Sequence, residues 1–359
     1  MHAVEFHNVT KTFGDKAALD DVSLTVEPGT FTVVCGPPKA GKSVLFRLLV
    51  GLDVPDSGTI LLDGRDITTA APSQRPIGYV PQSFALYPHL TVFENIAYPM
   101  RLARAPREEA NRKVDAIAAM LSIGHLLKKT PDQLSGGEKQ RVAVARGLVR
   151  EAKVFVLDDP LVGLDYKLRE RLMDELKQLC DELKTTFLYT TSDSLEALTL
   201  AQSIVVLDGG RLIEQADAID IYLHPQQLRS LEVIGFPRAN IISPQIRGNE
   251  ASFAGFRFTL PEGAPASGVT LGIRPEDVVL APQTGRQGRV AIVEHLGSEI
   301  VLYTDVDGVS LTSAYPAENV ATPLIDSTVA VSIEPEKVMV FDSLTGRFVG
   351  RCARTQGGA

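Results

Sequence analysis

The stretch Gly36-Pro37-Pro38-Lys39-Ala40-Gly41-Lys42-Ser43 leaves the chain few local structures to choose from. It has the spacing G-x-x-x-x-G-K-[ST] and lies between two apolar runs, residues 31–35 and 44–50. The first run suits a buried strand and the second a helix, so the glycine-rich segment is the loop that joins them. In that arrangement backbone N–H groups and a helix N-terminus converge on one point, which suits phosphate oxygens. Lys42 is then expected to reach the β- and γ-phosphates of a nucleotide, and the Ser43 hydroxyl to bind Mg²⁺.

The same texture continues to about residue 235. Leu168, Leu172, Leu176, Leu179 and Leu183 recur at three- and four-residue spacing, which marks one helix face. Thr186-Phe187-Leu188-Tyr189 and Ile204-Val205-Val206-Leu207 read as buried strands, and Asp158 ends another. Residues 91–130 are helix-rich, with a stripe of Ile117, Met120 and Leu121. Helices alternating with short apolar strands predict a mostly parallel α/β sheet. Beyond residue 235 short β-like runs such as Val290-Ala291-Ile292-Val293 and Ile300-Val301-Leu302-Tyr303 follow one another between glycines and prolines. They predict a separate small barrel or sandwich. The expected domains are 1–235 and 236–359, with Phe236-Pro237 near the junction.

Bulk properties remove several functions. The net charge of −8 argues against a nucleic-acid groove, which needs a basic face. Three cysteines, an odd number far apart, argue against a disulfide framework and for a reducing compartment. The first residues read as a strand rather than a signal peptide. No run of about 18 apolar residues occurs, so membrane service would need partner chains.

Further stretches follow the loop in a fixed order: Tyr79-Val80-Pro81-Gln82, Leu134-Ser135-Gly136-Gly137-Glu138, Val154-Phe155-Val156-Leu157-Asp158-Asp159-Pro160 and Leu161-Val162-Gly163-Leu164-Asp165. With residues 36–43 they resemble the ATPase subunits of ABC transporters. The resemblance implies a P-loop α/β ATPase domain with a helical subdomain, followed by a small all-β, OB-like regulatory domain. It implies ATP and Mg²⁺, with Gly36, Pro38, Lys39, Ala40, Gly41, Lys42, Ser43 and Val44 forming the phosphate loop. Ser43, Gln82 and Asp158 are the expected metal-side residues, and Asp159, Gln82 and Ser192 occupy the hydrolytic positions. Phe13, which taken alone would more often be a core residue, stands where the family stacks an aromatic on adenine. Ser135, Gly136 and Gly137 match the signature that faces the nucleotide of the opposite subunit. Their S-x-x-E spacing is also that of a plain capping box. Asp165 matches the loop that crosses the dimer seam.

Five positions depart from that family. Asp159 stands where a glutamate polarises the attacking water, and its reach is about 1.5 Å shorter, one C–C bond. Ser192 replaces a histidine, and no histidine lies between His125 and His224 to take its place. Pro38 has no N–H, Lys39 replaces a small residue, and Val44 replaces a hydroxyl residue. Loss of a positioned acid–base group costs ~10²–10⁴ in rate. ATP is therefore expected to bind here and to be hydrolysed slowly or not at all. Because residues 134–137 remain intact, the expected partner is a second ATPase in a heterodimer. Two alternatives stay open: a nucleotide-clamped regulator without hydrolysis, and a homodimer in which Asp159 serves as base.

The stretch Ser83-Phe84-Ala85-Leu86-Tyr87-Pro88-His89-Leu90 and the segments Leu271-Gly272-Ile273-Arg274-Pro275-Glu276 and Phe341-Asp342-Ser343-Leu344-Thr345-Gly346 are similar to importers of sugars and related solutes. Asp165-Tyr166-Lys167-Leu168-Arg169-Glu170 with Tyr189-Thr190-Thr191 looks like one of the paired ATPases of glycerol importers. The resemblance places the chain at the cytoplasmic face of the cell membrane, bound to two membrane-spanning permease subunits that work with an extracytoplasmic solute-binding protein. Tyr87, Pro88, His89 and Leu90 are the expected permease contacts. Arg274 and Glu276 read as a charged turn or as solute contacts.

Overall fold

The computed structural model describes residues 2–150, 152–265, 268–281, 285–318 and 322–354. The chain divides into two compact units between Ala218 and Ile219.

The first unit begins with β1 (Val4–Phe13), β2 (Lys16–Val26), β3 (Phe31–Cys35), α1 (Lys42–Val50), β4 (Ser57–Leu62), β5 (Arg65–Asp66) and β6 (Ile77–Val80). It continues through α2 (Val92–Leu102), α3 (Arg107–Met120), α4 (Gly136–Leu148), β7 (Val154–Asp158), α5 (Tyr166–Leu183) and β8 (Thr186–Thr191). It closes with α6 (Ser194–Leu200), β9 (Ser203–Asp208) and β10 (Arg211–Asp217). The main sheet has the order β10-β9-β3-β8-β7-β6, and only β10 runs antiparallel to its neighbour. Central parallel strands are covered on both faces, so they read as unbroken apolar runs. β3, β7 and β8 are buried at every position. A second, antiparallel sheet has the order β2-β1-β4-β5.

Register decides what meets at the carboxyl edge of the main sheet. Cys35 lies beside Thr191, Asp158 beside Thr190, and Val80 beside Leu157. The residues that follow these strand ends are therefore delivered to one place. In α5 the expected face is present, with Leu172, Leu176 and Leu179 buried; the Leu183 side chain lies outside the described residues. The stripe expected in α3 is displaced. Ala110, Val114, Ala118 and Leu121 are buried while Met120 is 38% exposed, because a helix ending at Met120 turns that side chain outward.

The second unit takes α7 (Ala218–Leu223) from Ile219 onward, then α8 (Leu228–Val233), and is otherwise β. β11 (Asn240–Ile242), β12 (Gln245–Arg247), β13 (Glu250–Phe253) and β14 (Phe256–Thr259) come first. β15 (Val269–Ile273), β16 (Val278–Leu280), β17 (Arg286–His295), β18 (Glu299–Val306) and β19 (Val309–Pro316) follow. β20 (Thr328–Ile333), β21 (Met339–Asp342) and β22 (Phe348–Arg351) complete it. The largest sheet, β16-β20-β17-β18-β19, curls until its edge strands β16 and β19 approach, giving a nearly closed OB-like barrel. Residues 219–235, assigned by texture to the first domain, lie in this unit. Leu231 packs on Met339 and Phe341, and the Arg274 guanidinium donates to the carbonyls of Tyr222 and Ile234. Arg274 is 3% exposed and stacks 4.0 Å from the Tyr222 ring, whose hydroxyl donates to Glu276 at 2.6 Å. Arg274 thus braces the unit from within, and Glu276 holds Tyr222 from the surface.

In the first unit Arg75 does comparable work. It is 1% exposed, and its guanidinium donates to the carbonyls of Leu48 and Leu49 at 2.7 Å, of Ala70 at 2.8 Å and of Thr68 at 3.3 Å. Leu48 and Leu49 belong to the last turn of α1, where carbonyls lack helical partners. Replacing Arg75 with alanine takes a donor from four carbonyls, of which Leu48 keeps the Gly51 N–H at 3.2 Å, and an unmet buried polar group costs roughly 1–3 kcal/mol. Urea denaturation of Arg75→Ala should show a loss of about 3 kcal/mol with an unchanged slope.

Candidate functional site

A cavity of about 650 Å³ opens at the carboxyl edge of the main sheet. It is lined by Phe13, Pro38, Lys39, Ala40, Gly41, Lys42, Ser43, Val44, Gln82, Asp159 and Ser192, all named from the sequence. Thr190, named from the sequence only as part of a resemblance, also lines it, as do Lys16, Ala17, Ala18, Gly209 and Gly210, which sequence reading did not single out. Phe13, at the end of β1, is 50% exposed, which leaves its ring available to a flat partner.

The loop has this shape because its glycines touch neighbouring backbone. A Cβ at Gly36 would lie 2.0 Å from the Leu207 carbonyl oxygen, and one at Gly41 would lie 2.5 Å from that of Ala18. Gly41, with φ 105, starts α1. The Gly210 N–H donates to the Ala40 carbonyl at 3.0 Å, so the turn after β9 holds the loop from behind. Lys39 is exposed at φ 70, a left-handed conformation that a glycine would adopt more easily. The Lys42 ammonium donates to the carbonyls of Gly36 at 2.6 Å and Pro37 at 3.0 Å. Burial lowers its pKa from the usual lysine value.

Ser43 and Asp158 meet where α1 faces the end of β7, the Ser43 hydroxyl donating to Asp158 Oδ1 at 2.9 Å. Thr190 donates to the same oxygen at 2.9 Å and accepts the Asp159 N–H at 2.9 Å. Asp159 itself is left-handed, with φ 48. Its pKa is pushed up to about 6, first by burial and then by the charge of Glu196, against the pull of Lys42. On the neighbouring loop Asp193 caps α6 by accepting the Leu195 N–H at 2.8 Å. Glu196 accepts from Tyr189 at 2.8 Å and Thr191 at 2.7 Å. Ser192 is therefore held on a well-tied loop but offers only a hydroxyl.

These donors fit a nucleotide with Mg²⁺. A hydroxyl and a carboxylate are hard oxygen ligands, and Mg²⁺ characteristically takes one or two such groups plus phosphates and water. Among the described residues no group of three or more His, Cys, Asp or Glu side chains gathers as a self-sufficient metal cage. Lys42 and the start of α1 supply positive potential for phosphates.

Ser135, Gly136 and Gly137 do not line this cavity. Ser135 caps α4, accepting the Glu138 N–H at 3.3 Å while its own N–H donates to Glu138 Oε2 at 2.7 Å. The expected capping box is thus formed, and a Cβ on Gly136 would meet nothing within 4 Å. Asp165 caps α5 by accepting the Leu168 N–H at 3.1 Å. A second cavity, about 670 Å³, includes Tyr79, Tyr87, Tyr98, Met100, Arg146 and Arg150 in its lining. Tyr87 and Tyr98 are 4.6 Å apart, and Arg146 lies 5.5 Å from the Tyr87 ring. Arg146 also donates to the carbonyls of Phe84 and Ala85, at 2.7 and 2.6 Å, two residues with left-handed backbones.

Comparison with known proteins agrees with this geometry. A family profile described as ABC transporter matches residues 19–162, and one described as TOBE domain matches 271–341. The maltose/maltodextrin import ATP-binding protein MalK of Salmonella typhi is 35% identical over 356 residues, 95% of this chain and 96% of the relative. The same protein from Shigella flexneri is 34% identical over 361 residues, with the same coverage. Among solved structures, the dimeric cassette MJ0796, described as a bacterial ABC transporter cassette, has a TM-score of 0.56 and 30% identity over 60% of this chain and 98% of its own. The cbiO1 subunit from Clostridium perfringens, part of the transporter complex cbiONQ, has a TM-score of 0.57 and 27% identity over 66% of this chain and 96% of its own.

Asp159 sets a pH-dependent stability. Its pKa of about 6 in the folded chain exceeds the ordinary aspartate value of 3.8. The folded state thus holds the proton more tightly, a contribution that is complete below pH 4 and is lost as pH rises through 6. Without nucleotide, Asp159→Asn should melt higher than wild type at pH 7.5, and the gap should close by pH 4; thermal scans across that range check it.

Proposed function

Because the chain belongs to the ABC transporter ATPase family, we propose that it is the ATP-binding subunit of an importer for a sugar, polyol or related solute. As an ABC-type ATPase it works with ATP and Mg²⁺. The observation that supports the importer reading is the length of the likeness: it runs through both units and includes relatives named for maltose and maltodextrin import. Glycerol is our finer assignment, on Asp165-Tyr166-Lys167-Leu168-Arg169-Glu170 and Tyr189-Thr190-Thr191.

In this reading Phe13 stacks on the base, Lys42 and the loop N–H groups hold the phosphates, and Ser43, Asp158 and Gln82 serve the metal side. Asp159 and Ser192 make the chain's own site weak. The aspartate is shorter than a glutamate, and the Ser192 hydroxyl cannot carry the charge that an imidazole can. Their costs fall on one step and need not add. Ser135, Gly136 and Gly137 serve a partner ATPase, whose glutamate and histidine would make the competent site of a heterodimer. ATP-driven closure of that pair would drive two permease subunits, which work with an extracytoplasmic solute-binding protein. No helix among the described residues is long and apolar enough to cross a membrane; we place the chain peripherally at the cytoplasmic face. The cavity beside Tyr87 is the proposed seat of a permease helix.

One observation favours a second reading. Asp159, held near pH 6 by burial, has the proton affinity of a useful base near neutral pH. A homodimer with two working sites would exploit it.

ATP turnover by this chain alone, and then with the ATPase encoded beside it, separates the two. The heterodimer predicts little activity alone and strong activity with the neighbour, changed only modestly by Asp159→Glu with Ser192→His. Strong activity alone, abolished by Lys42→Ala, would establish Asp159 as a working base and end the weak-site reading.

A further inference from the structure

Thr190 is fully buried in β8, in register with Asp158 on one side and Val34 on the other. Packing alone does not call for its hydroxyl, since valine has the same branched shape and suits a strand equally well. The hydroxyl oxygen nevertheless meets both adjacent carboxylate residues. It gives its hydrogen to Asp158 Oδ1 at 2.9 Å and receives the Asp159 N–H at 2.9 Å.

We propose that Thr190 is a positioning residue for the metal side of the nucleotide site, aiming the Asp158 carboxylate and fixing the left-handed Asp159 peptide beside it. The proposal rests on the reading that Ser43 and Asp158 hold Mg²⁺. Asp158 Oδ1 accepts from two hydroxyls, Ser43 and Thr190. Ser43 rides on the first turn of α1 and would itself touch the cation. Thr190 sits on a strand paired along both edges, with its hydroxyl engaged by Asp158 and the Asp159 N–H, so its direction is set by the sheet. A donor placed behind a ligating carboxylate holds its rotamer and tunes its basicity, and losing such a partner typically costs about 10–100-fold in metal affinity. The same oxygen satisfies the Asp159 N–H. Without it that part-buried peptide has a reason to leave φ 48, a conformation disfavoured for a residue with a side chain.

The test is binding of a fluorescent non-hydrolysable ATP analogue to the full chain, titrated with Mg²⁺ and repeated in EDTA. Hydrolysis plays no part in this readout. Wild type should bind more tightly as Mg²⁺ is added. Thr190→Val should need about tenfold more Mg²⁺ for the same effect and keep its affinity in EDTA. Thr190→Ser, which retains the hydroxyl, should respond as wild type does. Thr190→Ala gives the same comparison if valine disturbs folding. A normal Mg²⁺ response in the valine and alanine variants would overturn the proposal, as would a serine variant as impaired as valine. A wild-type chain indifferent to Mg²⁺ would overturn the metal reading itself, and the proposal with it.

Discussion

Asp158 is 4% exposed at the end of a buried strand, and a carboxylate so placed must be answered by donors on neighbouring elements. Here the donors are Ser43, on the helix after β3, and Thr190, on the strand between β3 and β7. That requirement ties three separate stretches of chain together at one oxygen atom. It works only because β3, β8 and β7 run parallel, so their carboxyl ends share an edge. The strands are short, five, six and five residues, and twist has little length over which to spread them. Ser192 and Gln82 follow the ends of the same set of strands and arrive at the same cavity. Ligand sites in open parallel sheets gather at this edge for the same reason.

Asp158 and Asp159 are consecutive but do different work. Asp158 continues the strand and spends its carboxylate on internal donors. At Asp159 the backbone turns left-handed, and its carboxyl enters the cavity, where burial and Glu196 resist its ionisation. The change in backbone, more than the one missing methylene, separates a side chain that holds the site together from one that faces the reacting space. The local turn and the β8 hydroxyl behind it are part of what sets the reach of this acid.

Much of this was legible in the sequence, because the relevant signals are local. The loop glycines and the unbroken apolar runs of β3, β7 and β8 stand out as short patterns, although the glycines answer to carbonyls of Leu207 and Ala18 far along the chain, and the S-x-x-E cap of α4 closes within four residues. What escaped depends on approach through space. Ala17, Ala18, Gly209 and Gly210 line the cavity because β2 and the turn after β9 close over the loop, and no spacing in the chain announces that. Thr190 was visible only within Tyr189-Thr190-Thr191, as a point of resemblance; its role comes from register with β7. Residues 219–235 look like a continuation of the helical texture, yet Leu231 packs against strands more than a hundred residues later. The face of α3 slipped because three- and four-residue spacings fit several stripes equally well until the helix end is known.

Arg75 gives α1 a property that its length does not suggest. A helix of nine residues has partial negative charge at its last carbonyls and partial positive charge at its first N–H groups. Arg75 lies buried against the carbonyl end, and among the described residues no carboxylate shares its charge. One pole of the helix is thus terminated by a permanent cation inside the protein. The other pole opens on the cavity, where the Asp158 carboxylate accepts from Ser43 in the first turn and space remains for further negative charge from outside. An arriving anion completes a dipole whose far end was neutralised when the chain folded, so the helix stands electrically half-closed before any ligand binds.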